Sequence, residues 1–396
     1  MARRFWKRYL EVFDRVRIVA RAVPVGRACD HWLPVNGQNI IFHTLPDYEG
    51  PFEYLKRSHV LRKAIRAALP LQGALILRGA SQIANCLERQ IRELEYPYAV
   101  EVLGDPYEVF APGVVDHPLR RVFRWHFSRE LRRQCRKACG VAYVTRQALQ
   151  KRYPTGEMSA GVSDVELPAE AVLGGSSYTH YSSIELDQAG IASVVRPPKE
   201  CGPFQIVTVG SLAQLYKGPD VLIEAVGRCV RAGVDVTVVI VGDGKFRPAL
   251  MAHAERIGIA SRIQFAGQLT AGEPVRQILD RSDLFVLPSR TEGLPRALIE
   301  AMARALPCIG SAVGGIPELL AIDDLVPSGD ADALAAKIRE VLANPARRLE
   351  MAERNLLQSF DYREEVLAER RRRFYQHVRD FTTSWHAQRV SHCVQQ

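Results

Sequence analysis

Long apolar runs are missing from this sequence, and cysteine is scarce. The longest apolar run, Val236 to Val241, is far shorter than the ~20 residues of a membrane-spanning helix. The N-terminal segment MARRFWKRYLEVFDRV lacks the continuous apolar core of a signal peptide. The eight cysteines are scattered, form no C-x-x-C pair and have no histidine at metal-binding spacing. We therefore expect a cytoplasmic chain with reduced thiols that neither leaves the cytoplasm nor crosses a bilayer.

The composition is that of a globular chain with a basic surplus. Its 396 residues are 47% hydrophobic and 24% charged, which suits two or three domains of about 100 to 200 residues each and excludes a single small module. Lys and Arg number 53 against 44 Asp and Glu, which gives a formal net charge of +9. This charge favours phosphate-bearing ligands, an anionic membrane surface or nucleic acid, and does not choose among them.

From Phe204 onward, short β-branched segments alternate with helical patterns. This alternation is typical of a parallel, doubly wound α/β sheet, whose ligands bind at the carboxyl ends of the strands. The strands predicted there are Phe204–Val209, Val236–Val241, Ile263–Ala266, Asp283–Leu287 and Pro307–Gly310.

The first half is less regular, but it predicts a second sheet of the same kind. The strand-like segments are Val16–Ala20, Asn39–His43, Ala74–Leu77, Ala99–Leu103 and Val141–Val144. The Gly-, Ser- and Pro-rich segment 154–203 is the predicted connection, with a further strand near Tyr181–Leu186. We predict domains over residues 1–190 and 200–360, and a charged helical extension over residues 361–396 that packs back toward the first domain.

The most informative stretch is Ser289–Ala303, SRTEGLPRALIEAMA. Pro295 suits the first turn of a helix, Gly293 lets the backbone approach a ligand closely, and the free amides there attract an anion. Glu300 follows inside an apolar run, where an ionised carboxylate needs hydrogen-bond donors such as the vicinal hydroxyls of a sugar or ribose. The alternative is a helix-face glutamate paired with a lysine or arginine.

A second cluster follows the first strand of the second half. Gly210-Ser211-Leu212 is followed by Lys217, between a strand and a helix, where an ammonium can meet a diphosphate. In combination, the ordered patterns G-x-L-x4-K-G, V-G-D-G, E-x7-E and V-G-G-I-P-E closely resemble the nucleotide-binding half of the family 4 retaining glycosyltransferases of the GT-B fold. The resemblance is strong over residues 204 to about 360 and weaker before that.

The resemblance implies two Rossmann-like, doubly wound domains and a metal-independent, retaining transfer of a sugar. The donor would be a nucleotide-diphosphate sugar, the acceptor a glycan or a lipid-linked sugar, and no cofactor would be needed. Glu292 would lie against the donor sugar, Lys217 would neutralise the departing diphosphate, and Glu300 would bind the ribose hydroxyls. The other implied donor-binding positions are Gly210 and Ser211 in the first pattern, Gly242 and Gly244 at the nucleotide, Gln268 at the base, Gly293 and Leu294 beside the sugar, and Gly314 and Gly315 at the phosphates.

Three departures qualify the match. Many family members carry an arginine where this chain has Ser211, and other cations would then have to stabilise the leaving group. Many also carry a histidine facing the sugar, where we align Gly104; Asp105 becomes the candidate for that catalytic contact, with turn capping as its alternative. Family chains begin with a strand and a glycine-rich loop, whereas this chain opens in a helix, so we expect the first strand and an acceptor-side loop to be missing. The candidates for the missing cation are Arg78, Arg290 and Arg296.

Residues 120–152 contain eleven Lys or Arg against one acidic residue, Glu130, interleaved with Phe123, Trp125 and Phe127. A basic amphipathic helix with aromatic residues is typical of a surface that docks on an anionic membrane. We therefore expect peripheral contact with the inner membrane face. The alternative is a solvated helix face.

We predict a glycosyltransferase that binds no nucleic acid and no metal. The pattern Asp330-Ala331-Asp332 suits a helix N-cap better than a metal site. Two alternatives stay open, a non-catalytic relative that binds a sugar nucleotide or a partner, and a sugar-nucleotide epimerase. A nucleic-acid-binding protein is disfavoured because no recognition motif is present, and a dinucleotide oxidoreductase because Gly242–Arg247 lacks the third glycine of that fingerprint.

Overall fold

The computed structural model describes residues 3–26, 34–69, 73–112, 114–115, 117–156, 171–173, 176–182, 184 and 186–394. These residues form two sheets of five and six strands, a separate pair of strands, and helices between most of them. The α/β architecture with two largely parallel sheets agrees with the prediction.

The first half contains the strand pair and the five-stranded sheet. Its helices are α1 (Arg3–Lys7), α2 (Gly50–Ala67), α3 (Gln82–Ile91), α4 (Pro106–Val109), α5 (Arg120–Lys137) and α6 (Ala148–Arg152). Its strands are β1 (Val16–Ala22), β2 (Ile40–Pro46), β3 (Ile76–Arg78), β4 (Ala99–Val102), β5 (Gly140–Tyr143), β6 (Ala171–Leu173) and β7 (Ser176–His180). Strands β1 and β2 pair in parallel as a sheet of their own, and the larger sheet has the order β3-β4-β5-β7-β6, with only the β6–β7 pair antiparallel.

The second half forms one parallel sheet of six strands in the order β10-β9-β8-β11-β12-β13. Its strands are β8 (Phe204–Val209), β9 (Val236–Val241), β10 (Ile263–Gly267), β11 (Leu284–Leu287), β12 (Cys308–Ser311) and β13 (Leu325–Val326). Its helices are α7 (Pro219–Arg231), α8 (Arg247–Arg256), α9 (Glu273–Arg281), α10 (Arg296–Ala303), α11 (Ala331–Leu342) and α12 (Pro345–Ser359), and α13 (Glu364–Val394) follows them.

Local sequence explains why these elements form where they do. The Val- and Ile-rich strands β8 and β9 are almost entirely buried, as expected for central strands covered by helices on both faces. Pro219 opens α7, because a proline at the first helical position removes only an N–H that the helix would leave unpaired. Asp330 accepts hydrogen bonds from the backbone N–H of Asp332 and Ala333, so its predicted N-cap role is confirmed.

The strands predicted in the second half agree with the structure to within one residue at each end. The prediction for segment 154–203 is wrong in part, because β6 and β7 fall inside it and β7 pairs with β5 within the first sheet. Of these two strands, β7 (Ser176–His180) ends just before the predicted strand Tyr181–Leu186, of which positions 183 and 185 lie outside the described residues.

The long helix α13 returns to the first half. It packs on β5 and β7, and a ring nitrogen of His377 donates a hydrogen bond to the carbonyl oxygen of Cys139 at 2.8 Å. The division into domains at residues 190, 200 and 360 stays a prediction. None of the helices in the described part of the chain is long and apolar enough to cross a membrane.

Candidate active site

Lys217 and Glu292, the two residues predicted to act at the diphosphate and the sugar, form an ion pair. Lys217 lies at the end of the loop after β8, and Glu292 lies in the loop between β11 and α10. The Lys217 Nζ donates to the Glu292 Oε1 at 2.6 Å, and the Ser289 hydroxyl donates to the same oxygen at 2.7 Å. Both side chains are largely shielded, with 17% of Lys217 and 6% of Glu292 exposed. The structure thus brings a cation and a carboxylate together at the carboxyl edge of the second sheet.

Arg290 holds these two loops against each other. Its guanidinium pairs with both carboxylate oxygens of Asp220 at 2.9 and 2.6 Å and donates to the carbonyl of Leu215 at 2.7 Å. Its backbone N–H donates to the carbonyl of Tyr216 at 2.7 Å. Arg290 and Arg296 are two of the candidates for a second phosphate cation. Arg290 pairs with Asp220, Arg296 is exposed at the start of α10, and both roles stay predictions.

Glycines let the loops of the site approach closely. Gly242, after β9, has φ +138°, and a Cβ there would lie 1.9 Å from the carbonyl oxygen of Gly210. Gly314 has φ +55°, and a Cβ there would lie 1.9 Å from the carbonyl oxygen of Glu292. Neither position can hold a larger residue without moving the backbone, so both glycines are required by the shape of the site.

The remaining glycine-loop positions connect to these two. Gly242 donates its N–H to the carbonyl of Gly267, which places the exposed Gln268 beside the Gly242 loop. Gly244 lies against the backbone of Leu212 and Ala213, close to Ser211. The Ser211 hydroxyl accepts a hydrogen bond from the Ala213 N–H at 3.2 Å and is exposed. The structure therefore brings together the loops of the first and second sequence patterns.

Glu300 lies on α10, C-terminal to Glu292, and is partly buried. Burial raises the pKa of its carboxyl, and the positive charges of Arg296 and Arg276 oppose that shift. Among the described residues, no side-chain hydrogen bond or ion pair engages Glu300. Within this described part of the chain, Glu300 is therefore influenced by the charges of Arg296 and Arg276 without a direct pair, and its binding of ribose hydroxyls stays a prediction.

The first half of the chain forms the side of the site that faces Gly293. A Cβ at Gly293 would lie 2.8 Å from the carbonyl oxygen of Leu103 and 3.7 Å from the Cα of Gly104. The neighbouring Leu294 packs against the buried cores of both halves. The turn after β4 and the loop that carries Glu292 and Gly293 therefore meet at van der Waals distance. Gly104, where we predicted a sugar-facing position, lies at this contact.

Asp105 is buried and caps the N-terminus of α4. Its carboxylate accepts from the N–H of Tyr107 at 2.9 Å and from the hydroxyl of Tyr153 at 2.5 Å, and it pairs with Arg152. These contacts match the turn-capping alternative. The catalytic role of Asp105 stays a prediction, and it would require a ligand to share oxygens that are already engaged.

Arg78 belongs to a buried network that sequence analysis missed. Its Nε donates to Glu101 at 2.6 Å, and Glu101 also accepts from the hydroxyls of Tyr9, Tyr181 and Tyr375 at 2.7 to 3.2 Å. Burial raises the pKa of each of these three tyrosines well above its usual value. The contacts described for the Arg78 side chain, with Glu101 and with the rings of Phe5 and Trp6, lie in the first half and in a different cluster from Lys217. A single glutamate within the buried strand sequence AVEV was the signal that could have revealed it.

The basic stretch forms a groove of about 750 Å³ along α5. Trp125 is 60% exposed beside it, whereas Phe123 packs against the rings of Phe110 and His117. Arg133 turns inward and pairs with Glu88 and Glu130. The basic side chains that line the groove are Arg121, Arg124, Arg129, Arg132, Arg133, Arg136 and Lys137.

The chain is similar to several known proteins. Residues 203–344 match the family described as Glycosyl transferases group 1. Protein CapJ of Staphylococcus aureus is 23% identical over 316 residues, which are 79% of this chain and 73% of that protein. The putative colanic acid biosynthesis glycosyltransferase WcaL of Salmonella typhimurium is 36% identical over 147 residues, 35% of this chain and 36% of that protein. The chain thus matches only about a third of the length of this second relative.

Solved structures agree on the fold. Sucrose-phosphate synthase from Thermosynechococcus elongatus has a TM-score of 0.68 at 16% identity, over 91% of this chain and 88% of that one. WaaG, a glycosyltransferase involved in lipopolysaccharide biosynthesis, has a TM-score of 0.63 at 16% identity, over 95% of each chain. These similarities confirm the predicted arrangement of two Rossmann-like sheets of the GT-B type.

Proposed function

We propose that this chain transfers a sugar from a nucleotide-diphosphate donor to a glycan or lipid-linked acceptor with retention of configuration. Residues 203–344 match the family Glycosyl transferases group 1, which supports a glycosyltransferase that uses nucleotide-sugar donors. The observation that carries the proposal is the Lys217–Glu292 pair, because it lies where Gly293 meets Leu103 of the other half. A donor bound at the second sheet would present its sugar to an acceptor across that contact.

In the reaction, the bond between the anomeric carbon and the diphosphate oxygen breaks, and a bond to the acceptor oxygen forms on the same face of the sugar. The acceptor proton passes to the departing phosphate. Lys217 stabilises the negative charge that grows on the diphosphate, and the carboxylate of Glu292 orients the sugar. The backbone amides of Gly293 and Leu294 contribute to the same positioning.

The nucleotide is held by the surrounding loops. We propose that Glu300 binds the ribose hydroxyls and that the backbone at Gln268 meets the base. Gly242 and Gly244 line the nucleotide pocket. Around the phosphates lie the loop positions Gly210, Ser211, Gly314 and Gly315. Asp105 and Arg78 are secondary candidates, because the side-chain partners described for each of them lie in the first half.

We propose that the transfer requires no metal ion. Lys217 supplies a cation at the place where a metal would otherwise neutralise the diphosphate. The Asp330-Ala331-Asp332 sequence is engaged elsewhere, since Asp330 caps α11 and Asp332 pairs with Arg228 at 2.9 Å.

We also propose that the α5 groove docks the enzyme on the anionic inner face of the cytoplasmic membrane. The groove combines clustered arginines with the exposed ring of Trp125, a pairing that suits the boundary between lipid headgroups and acyl chains. Each Lys or Arg near an anionic leaflet contributes about 1 kcal/mol. Such docking would bring the enzyme to a lipid-linked acceptor.

Co-sedimentation with anionic vesicles tests the docking proposal. The parent should pellet with the vesicles at low salt and be released as salt rises, because exposed charges are screened beyond ~8 to 10 Å. Changing Arg121, Arg124, Arg132 and Arg136 to Gln should abolish pelleting. A control that removes the same charge from the second half, with Arg231, Arg256, Arg281 and Arg339 changed to Gln, should still pellet. A parent that stays in the supernatant at low salt would show that α5 is only a solvated face.

Calorimetric titration with UDP-, GDP- and ADP-sugars tests the donor proposal. One nucleotide class should bind, and the Glu300→Gln variant should bind it more weakly. Binding without turnover would favour the non-catalytic alternative, and formation of an epimer instead of a transfer product would favour the epimerase.

A further inference from the structure

Glu318 reaches from the second half of the chain to the first. It lies in the short turn Ile316–Glu318 that follows the paired glycines Gly314 and Gly315. Its carboxylate accepts hydrogen bonds from three consecutive backbone N–H groups, those of Arg146 at 2.5 Å, Gln147 at 3.0 Å and Ala148 at 2.7 Å. Those residues follow β5 of the first sheet.

Three N–H donors on one carboxylate make a strong contact. Hydrogen bonds to an ionised acceptor are shorter and stronger than those between neutral groups. In the segment that follows β5, the N–H of Leu149 donates to the Thr145 hydroxyl and the N–H of Lys151 donates to the Gln147 carbonyl, so these two amides have partners within the same segment. The amides of residues 146–148, in contrast, depend on a side chain that arrives from the other half of the molecule.

The same segment of the second half also touches the donor side of the site. We name residues 314–318 the latch loop. The N–H of Gly315 donates to the carbonyl of Gly293 at 2.7 Å, and a Cβ at Gly315 would lie 3.1 Å from the Thr145 side chain. One short loop therefore contacts both the loop that carries Glu292 and the 145–148 turn of the first half.

We propose that Glu318 is a positioning residue that holds the two halves together in the arrangement that aligns donor and acceptor. When its carboxylate engages residues 146–148, the latch loop keeps the Glu292–Gly293 segment against Leu103 and Gly104. Loss of the contact loosens the first half at residues 146–148, whereas α13 and the packing of Leu294 still join the halves and the donor site in the second half keeps its own shape. The consequence for turnover rests on the proposed function, whereas the contact itself does not.

Hydrogen–deuterium exchange tests the contact without any ligand. The amides of residues 146–148 should exchange slowly in the parent and about tenfold or more faster in Glu318→Gln, because that amide side chain turns an N–H₂ group toward some of the three donors. Glu318→Asp should lie between the two. The control Glu353→Gln, an exposed position on α12, should match the parent. Equal protection of residues 146–148 in the parent and in Glu318→Gln would overturn the proposal.

Kinetics test the positioning role. Glu318→Gln should lower kcat by about tenfold or more while donor affinity changes less than about threefold, because misplacement of the reacting groups penalises the transition state more than binding. A merely structural defect would instead lower the melting temperature and donor affinity together. An unchanged kcat in a variant with exposed 146–148 amides would refute the role. If the parent transfers no sugar at all, the proposed function fails, and the exchange experiment still decides whether the contact exists.

Discussion

Replacing Lys217 with alanine should affect both stability and turnover, and a double-mutant cycle with Glu292→Gln separates the two effects. In Lys217→Ala, the buried Glu292 carboxylate keeps only the Ser289 hydroxyl as a described side-chain partner. Removing one partner of a buried pair costs about 3 to 5 kcal/mol. Because 17% of Lys217 is exposed, we expect the low end of that range, about 3 kcal/mol.

The other single variant of the cycle, Glu292→Gln, should destabilise the chain less than Lys217→Ala. Glu292→Gln keeps an oxygen that can accept from Lys217 and Ser289, and water can reach the ammonium, so the loss should be about 1 kcal/mol. In the double variant, no unpaired buried charge remains. Its destabilisation should therefore be smaller than the sum of the single effects by about 1 to 3 kcal/mol.

Thermal unfolding of the ligand-free full chain measures the stability side, at about 2 to 4 °C per kcal/mol for a domain of 150 to 250 residues. Turnover measures the other side. Lys217→Ala should lower kcat by about 10² to 10³ with a smaller loss of donor affinity, since the charge on the diphosphate grows in the transition state. The double variant should regain stability without regaining turnover. Additive stability effects, or equal losses in kcat and donor affinity for Lys217→Ala, would refute this account of the pair.

Further predictions concern Glu300 and metal ions. Burial raises the pKa of Glu300, so donor affinity should fall as the pH drops through that raised pKa, which lies above the pH at which an ordinary glutamate titrates. The Glu300→Gln variant should bind the donor about tenfold more weakly than the parent and should not show this pH dependence. A carboxyl whose pKa is raised on folding lowers the stability of the folded chain when it ionises, so Glu300→Gln should melt no lower than the parent at neutral pH. An unchanged donor affinity in this variant would show that Glu300 does not bind the ribose. Transfer should also persist in excess EDTA, and its loss on chelation with recovery on adding Mg²⁺ or Mn²⁺ would contradict the metal-free proposal.

The second half of the fold could be predicted closely because its signals are local. Its strands are continuous β-branched runs that end in Gly, Ser or Pro, and these runs become the buried strands of a parallel sheet. Strand β7 was misplaced by a few residues because its sequence, SSYTH, has little apolar character and is recognisable as a strand mainly from its pairing with β5.

The site could be predicted only where its residues form a recognisable sequence pattern. Lys217 and Glu292 are 75 residues apart, and their 2.6 Å contact follows from the loops after neighbouring strands β8 and β11 lying at the same edge of the sheet. The contacts of Glu318 and Glu101 join halves or elements far apart in the chain, so the local patterns VGGIPE and AVEV mark these residues without indicating their partners. The structure was also needed to distinguish the capping geometry of Asp105 from a free carboxylate.

Incubating the chain with the donor that calorimetry identifies, together with an acceptor, and following the anomeric signals of the first product by NMR tests the central proposal most directly. The parent should form a product with the same anomeric configuration as the donor, and Lys217→Ala should form almost none. A product of inverted configuration, or equal formation by parent and Lys217→Ala, would contradict it.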